Sequence, residues 1–292
     1  MAIDRRKFFK ISVATAGACV ASLPTTASAA KKVQTDIGDT FSMLNDSTKC
    51  VGCRACQVAC KERQGYGPAG DDPRYDMPTE LNSKNLTLIK LAKDGNKTSF
   101  VKRQCMHCYE PACVSACLVS ALQKEVNGIV SYDKKKCIGC RYCMIACPFN
   151  VPAYEFESSD PYVIKCDFCK DIITGGGIPE CANVCPAGAI KFGKRDDLLA
   201  EARGRIKAHP DRYINHIYGE KEAGGTSVLY LAGMSFDKLG LSTNLGYEAY
   251  PGFTKSFLSA VPLVLTIWPM LLMGAYAFSK TEKPANKSSE GG

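Results

Sequence analysis

A chain of 292 residues is long enough for one or two domains with a sizeable core. Its formal net charge of +8 is dispersed, with lysines and arginines set among acids and no long basic run, so no nucleic-acid partner is expected. Part of the excess also sits in the first 29 residues, where Arg5, Arg6, Lys7 and Lys10 face only Asp4.

In chain order, the first segment reads as a leader. A charged stretch from Asp4 to Lys10 precedes an apolar run, and "ASAA" offers a cleavage site at Ala27 to Ala29. Arg5 and Arg6, followed by Phe8 and Lys10, resemble a twin-arginine export signal over residues 1–29, with Asp4 where Ser or Thr is usual. Cys19 lies inside this leader and is expected to be discarded with it. A cluster-binding domain is expected over residues 30–195. Within it, the segment from Lys61 to Gln104 reads as an insertion ending in a strand-like "TSFVKRQ". Short β-like runs at Gly128 to Asp133 and Gly188 to Gly193 flank cysteine-rich loops, as small hairpins do. Residues 196–255 follow as a helix and docking segment. "RDDLLAEARGRIKA" has helical spacing, whereas Pro210 to Pro251 has few helix signals and reads as a docking strap or a linker. Ser256 to Ser279 holds 24 residues without a charge, and about 20 suffice to cross the hydrocarbon of a bilayer as a helix. Pro262 and Pro269 are tolerable in such a span. Lys280, Lys283 and Lys287 follow it against Lys255 alone before it, so residues 280–292 are expected to form a cytoplasmic tail, with the main domain on the periplasmic side.

The sixteen cysteines after Cys19 fall into four groups of four. They are Cys50, Cys53, Cys56 and Cys60; Cys105, Cys108, Cys113 and Cys117; Cys137, Cys140, Cys143 and Cys147; and Cys166, Cys169, Cys181 and Cys185. Every group opens with C-x2-C and closes with C-x3-C, an internal repeat. Disulfides do not ask for triplets at such spacing. Zinc bound by two C-x2-C knuckles leaves the third cysteine of a triplet without a role. A cubane cluster uses three thiolates from one loop and a fourth from elsewhere. In two-cluster bacterial ferredoxins the last cysteine of a C-x2-C-x2-C-x3-C-P run ligates the other cluster. Pro148 and Pro186 follow the third and fourth groups as that pattern expects, whereas Lys61 and Leu118 follow the first two. Four [4Fe–4S] clusters are the expected cofactors; zinc and disulfides are the alternatives that an iron count decides.

The stretches "QCMHCYEPACVSACLVSAL", "CIGCRYCMIACPFNVPAY", "CANVCPAGAIKFGKRDDLLAEA" and "YGEKEAGGTSVLYLAG" resemble the four-cluster ferredoxin-like electron-transfer subunits of membrane-bound oxidoreductases, in particular the iron–sulfur subunit of hydrogenase-2 type [NiFe] hydrogenases. The resemblance implies an α+β fold, with two ferredoxin-like modules of the bacterial 2[4Fe–4S] kind in one cluster-binding domain, and a single C-terminal transmembrane helix. It also implies ligand sets that pair the groups first with fourth and second with third. Cluster 1 takes Cys50, Cys53, Cys56 and Cys185; cluster 2 takes Cys60, Cys166, Cys169 and Cys181. Cluster 3 takes Cys105, Cys108, Cys113 and Cys147; cluster 4 takes Cys117, Cys137, Cys140 and Cys143. The implied partners are the small and large catalytic subunits of a hydrogenase and a multi-span quinone-reactive membrane subunit. The other reading is the same relay serving a molybdopterin reductase or a multihaem cytochrome complex.

No nucleophile–base pair stands out among His107, His209 and His216, so single-electron transfer without bond chemistry is expected. His107, inside "CMHC", reads as a partly exposed loop filler. Lys49, Arg54, Lys102, Arg103, Arg141, Lys165 and Lys170 crowd the cluster loops, either raising potentials or keeping the surface wet. Trp268 and Tyr276 read as packing or interface residues of the anchor rather than quinone ligands.

Overall fold

A computed structural model describes residues 40–66 and 80–281. The expected leader, its Cys19 and cleavage site, and residues 282–292 of the expected tail lie outside the described residues.

The elements run β1 (Phe41–Asp46), α1 (Ala55–Arg63), β2 (Leu88–Asp94), β3 (Lys97–Arg103), α2 (Ala112–Ser115), β4 (Leu122–Lys124), β5 (Val130–Tyr132), α3 (Tyr142–Ala146), β6 (Ala153–Tyr154), β7 (Val163–Ile164), α4 (Lys170–Thr174), α5 (Glu180–Asn183), β8 (Ile190–Lys194), α6 (Arg195–Ala208), β9 (Val228–Leu231) and α7 (Tyr250–Thr281). The mixture is α+β. Short helices carrying cysteines alternate with small sheets.

The largest sheet has the order β8-β1-β9, with β1 antiparallel to β8 and parallel to β9. The strand expected at Gly188 to Gly193 therefore exists as β8, but it closes no local hairpin: Met43 pairs with Phe192 from the far end of the domain. β9 comes from the segment read as a strap or linker. Its continuous apolar run Val228–Leu231 is buried throughout, as a strand covered on both faces must be. Alternation sorts it: Leu229 and Leu231 join Leu44 against Leu198, Leu199 and Ala202 of α6, while Val228 and Tyr230 join Met43 facing the cysteine-rich core. The sheet is thus a partition, with a helix on one side and the cysteine loops on the other.

Three hairpins complete the domain, β2–β3, β4–β5 and β6–β7. The first occupies the end of the stretch read as an insertion, and its β3 is the strand-like "TSFVKRQ" expected there. Its register closes at Asp94 opposite Lys97 through a two-residue turn in which Gly95 takes a positive φ of 57°. α6 spans the expected helical stretch and is tied to the sheet by Asp46. That buried carboxylate accepts hydrogen bonds from the Thr48 amide (3.0 Å) and hydroxyl (2.7 Å), the Arg205 guanidinium (2.7 Å) and the Tyr213 hydroxyl (2.8 Å).

α7 is 32 residues long, begins with Pro251 in its first turn, where no amide partner is lost, and contains Pro262 and Pro269. The Thr266 hydroxyl donates to the Pro262 carbonyl at 3.0 Å. Its window Ala260–Ala277 has a mean hydropathy of 1.7, and none of it is buried by the rest of the chain. By length and composition this helix can cross a bilayer.

Candidate iron–sulfur cluster sites

Each cysteine group begins on a loop that turns left-handed just before its second cysteine. Gly52, His107, Gly139 and Phe168 occupy equivalent positions and have φ of 72°, 47°, 68° and 61°. This backbone region is easy for glycine and strained for other residues. A Cβ on Gly52 would also lie 2.6 Å from the Phe100 ring. In the first and third groups the next non-cysteine residue, Arg54 or Arg141, is left-handed as well and opens the helix that follows.

His107 departs from the expected role of a partly exposed filler. It is 1% exposed, its Nδ1 accepts the Val130 amide at 3.1 Å, and its ring lies 4.5 Å from that of Phe168. Two equivalent loop positions of different groups thus pack against each other with their rings tilted by 37°, which gives His107 a packing role between loops. Burial lowers its pKa well below the ordinary value, and the charges of Lys165, Lys124 and Lys102 lower it further.

The helices then distribute the thiols. α1 carries both Cys56 and Cys60, one turn apart and therefore on one face. The same device recurs with Cys181 on α5 and Cys185 just beyond it, Cys113 on α2 and Cys117 beyond it, and Cys143 on α3 and Cys147 beyond it.

Two cavities collect thiols from the two ends of the domain. One is lined by Cys50, Cys53, Cys56 and Cys185, with Phe100, Lys102 and Tyr230 among its walls. The other is lined by Cys60, Cys166, Cys169 and Cys181, with Met43 and Phe168. The remaining eight thiols assemble in the other half. Burial pushes the Cys108 thiol well up, and Cys105, Cys147 and Cys113 are the neighbours that add to it. Burial likewise raises Cys143 to about 11, with Cys137, Cys140 and Cys117 next in effect. Between sets, Cys56 is a charge neighbour of Cys181, Cys166 of Cys105, and Cys113 of Cys143.

The thiols are apolar-walled as well as crowded. Burial first, then neighbouring cysteines, raise Cys56 and Cys113 to about 12 and Cys60 to about 11; for Cys169, raised to about 12, the Asp167 carboxylate adds to burial ahead of Cys181. Burial disfavours free thiolates at these positions; a cationic iron core held by them would supply the compensating charge, and its binding would release the thiol protons. Main-chain amides already aim at some sulfurs: Ala121 donates to Cys117 at 3.2 Å and Phe168 to Cys166 at 3.4 Å. Among the described residues no three His, Cys, Asp or Glu side chains converge tightly enough to hold a single ion. A mononuclear zinc site needs sulfurs about 2.3 Å from one metal. Thiols spread around a cavity suit a cluster instead.

The basic residues of the loops separate by burial. Lys102 and Lys165 are 3% and 5% exposed. Lys170 is on the surface and paired with Glu125, and Arg141 lies over the Tyr154 ring. Cys53 and Cys140 are the exposed members of the sixteen. Val51 lies beside the first in sequence, and Leu118, Ile138, Tyr142 and Ile145, all more than half exposed, belong to the groups that supply the set of Cys140. His216 approaches Glu222 at 2.6 Å, but that carboxylate also accepts the Gly219 amide at 2.7 Å, so the pair knits a loop. Trp268 and Tyr276 are exposed on α7.

Residues 96–195 match the 4Fe-4S dicluster domain. The chain is 41% identical over 291 residues to a protein of Nitratidesulfovibrio vulgaris Hildenborough, covering 96% of this chain and 78% of that one. It is 38% identical over 277 residues to the hydrogenase-2 operon protein HybA of Escherichia coli O157:H7, covering 82% and 84%. It is 36% identical over 200 residues to the iron–sulfur subunit of the nitrate-inducible formate dehydrogenase of Escherichia coli K12, covering 64% and 66%.

Proposed function

We propose the following role from the premise that this chain belongs to the ferredoxin-like iron–sulfur electron-transfer subunits that include HybA and the formate dehydrogenase subunits. It relays electrons between a periplasmic [NiFe] hydrogenase and a quinone-reactive membrane partner. Four [4Fe–4S] clusters are held by the four thiol sets described above, in the order Cys50/Cys53/Cys56/Cys185, Cys60/Cys166/Cys169/Cys181, Cys105/Cys108/Cys113/Cys147, Cys117/Cys137/Cys140/Cys143. The observation that carries this reading is the pair of adjoining four-thiol cavities, Cys50/Cys53/Cys56/Cys185 and Cys60/Cys166/Cys169/Cys181, joined through Cys56 and Cys60 one turn apart on α1.

Bound clusters supply one-electron sites. The chain's own residues do the rest. The left-handed loops and short helices fix each thiol, while α1 and α5 lock neighbouring sets together through cysteines one turn apart. Buried side chains such as Met43, Phe168 and Tyr230 exclude water between the sets, and main-chain amides stabilise sulfur charge and so adjust potentials. The exposed apolar residues near Cys140 offer a docking surface where an electron enters or leaves. α7 anchors the relay as a single span, after export by the twin-arginine route.

The test is isolation of the complex from detergent-solubilised membranes, with an assay for hydrogen-dependent reduction of a viologen dye. Activity together with a nickel-containing large subunit is the expected result. The similarity to a formate dehydrogenase subunit favours the second reading, the same relay in another respiratory oxidoreductase. An iron-loaded complex with molybdenum or haem and no hydrogen activity would move the function there.

A further inference from the structure

Three lysines reach deep among the thiol sets, and two are held by main-chain oxygens. The Lys124 ammonium donates to the carbonyls of Gly128 at 2.6 Å and Cys108 at 2.8 Å. That of Lys165 donates to Val130 at 2.5 Å and Cys166 at 2.9 Å. Lys102 differs. It is 3% exposed, and its ammonium meets only the Met43 thioether sulfur, at 3.8 Å. Among the described residues neither a carboxylate nor a carbonyl oxygen receives it.

A buried ammonium facing a thioether is strongly unfavourable unless anions surround it. The anions available are sulfurs. Lys102 lines the cavity of Cys50, Cys53, Cys56 and Cys185, and Met43, whose sulfur its ammonium meets, lines the cavity of Cys60, Cys166, Cys169 and Cys181. The residue is fixed there by its neighbours: it stands opposite Ile89 in the β2–β3 register, and its carbonyl accepts the Tyr230 hydroxyl at 2.8 Å.

We propose that Lys102 is the shared counter-charge of two neighbouring clusters, those of Cys50/Cys53/Cys56/Cys185 and Cys60/Cys166/Cys169/Cys181, and that it selectively raises both their reduction potentials. This rests on the cluster assignment of the preceding section. One-electron reduction by an external donor adds one negative charge to a bound cluster, so a fixed cation nearby favours the reduced form. The set of Cys105, Cys108, Cys113 and Cys147 has Lys124 and Lys165 beside it, whose ammonium groups are already turned onto carbonyls; that set and the set of Cys117, Cys137, Cys140 and Cys143 should not feel the loss of Lys102.

The experiment is a mediated redox titration of the full-length protein, purified anaerobically in detergent and followed by electron paramagnetic resonance. Wild type is compared with Lys102→Gln, Lys102→Arg and the exposed control Lys170→Gln. Lys102→Gln is expected to disfavour reduction of two clusters by at least about tenfold each, a fall of about 59 mV for a one-electron couple. The remaining two should stay in place, Lys102→Arg should keep all potentials near wild type, and Lys170→Gln should shift little. Unchanged potentials in Lys102→Gln, a uniform fall of all four, or an equal fall in Lys102→Arg would overturn the inference. Should Lys102→Gln retain no iron, wild-type iron and potentials in Lys102→Arg support the need for a cation, whereas iron loss in both assigns the residue to packing and overturns it. Absence of iron–sulfur signals from the wild-type protein overturns the cluster reading, and the inference with it, and is distinct from clusters whose potentials do not move.

Discussion

Single residues carry much of the site through backbone geometry and buried charge. Gly52 combines a φ of 72° with a neighbouring aromatic ring where a Cβ would go. Gly52→Ala should therefore lose about 1–2 kcal/mol from the left-handed backbone alone, plus the cost of moving Phe100. The check is a lower melting temperature and faster iron loss than in Gly95→Asn, where the position is open and asparagine tolerates the conformation. Asp46 is the second such point. Asp46→Asn leaves the Arg205 guanidinium with Glu201 as its remaining partner and disturbs the bonds from Thr48 and Tyr213. A loss of roughly 3 kcal/mol is expected, at the low end for a broken buried pair because Arg205 keeps one partner. Denaturant midpoints at constant m-value would measure it. At this scale the cysteines were plain in the sequence because ligand spacing is local. The burial of His107 and Lys102 was not, since the loops that cover them come from residues far away in the chain.

Elements were legible where their signal was periodic. α6 occupies the stretch whose leucines and alanines recur at helical spacing, because one face packs on the sheet. α7 was legible from its uncharged length. Several strands were not, β2 and β9 among them. β2 hid in a stretch read as an insertion, although "LIKLAKDGNKTSFVKR" holds a hairpin turn at Asp94 to Lys97. β9 hid in a segment read as a strap because four residues buried on both faces show no alternation. The anchor makes its own prediction. A chain truncated after Lys255 should leave the membrane fraction while keeping its iron, and Leu265→Arg should weaken insertion by about 2.5–3.5 kcal/mol, read as the fraction resistant to carbonate extraction. A truncated chain that stays with the membrane would assign binding to the partners instead.

The whole molecule joins distant groups, and the thiol sets can be tested at that scale. Cys185 shares a cavity with cysteines more than a hundred residues earlier. Cys50→Ser and Cys185→Ser should thus alter the same paramagnetic signal, and Cys169→Ser a different one. Each single variant should lose at most one cluster, about four of about sixteen irons. Different signals for the first two would break the proposed set. A collapse of all iron in each single variant would instead mean that the clusters assemble as one cooperative unit.

The sequence by itself determined the chemistry: four thiol groups at C-x2-C and C-x3-C spacing, an apolar terminal helix, and the resemblance to iron–sulfur relay subunits. Those signals are local, written in spacing and composition that any fold must respect. Only the tertiary structure decided which distant segments wall the two thiol-lined cavities and which lysines are buried beside them. These depend on β8 and β9 closing on β1 across most of the chain, and on the exclusion of water from the space between. Contacts of that range leave no periodic trace in the segments that make them, whereas burial decides whether a lysine wets a surface or balances the charge of sulfur.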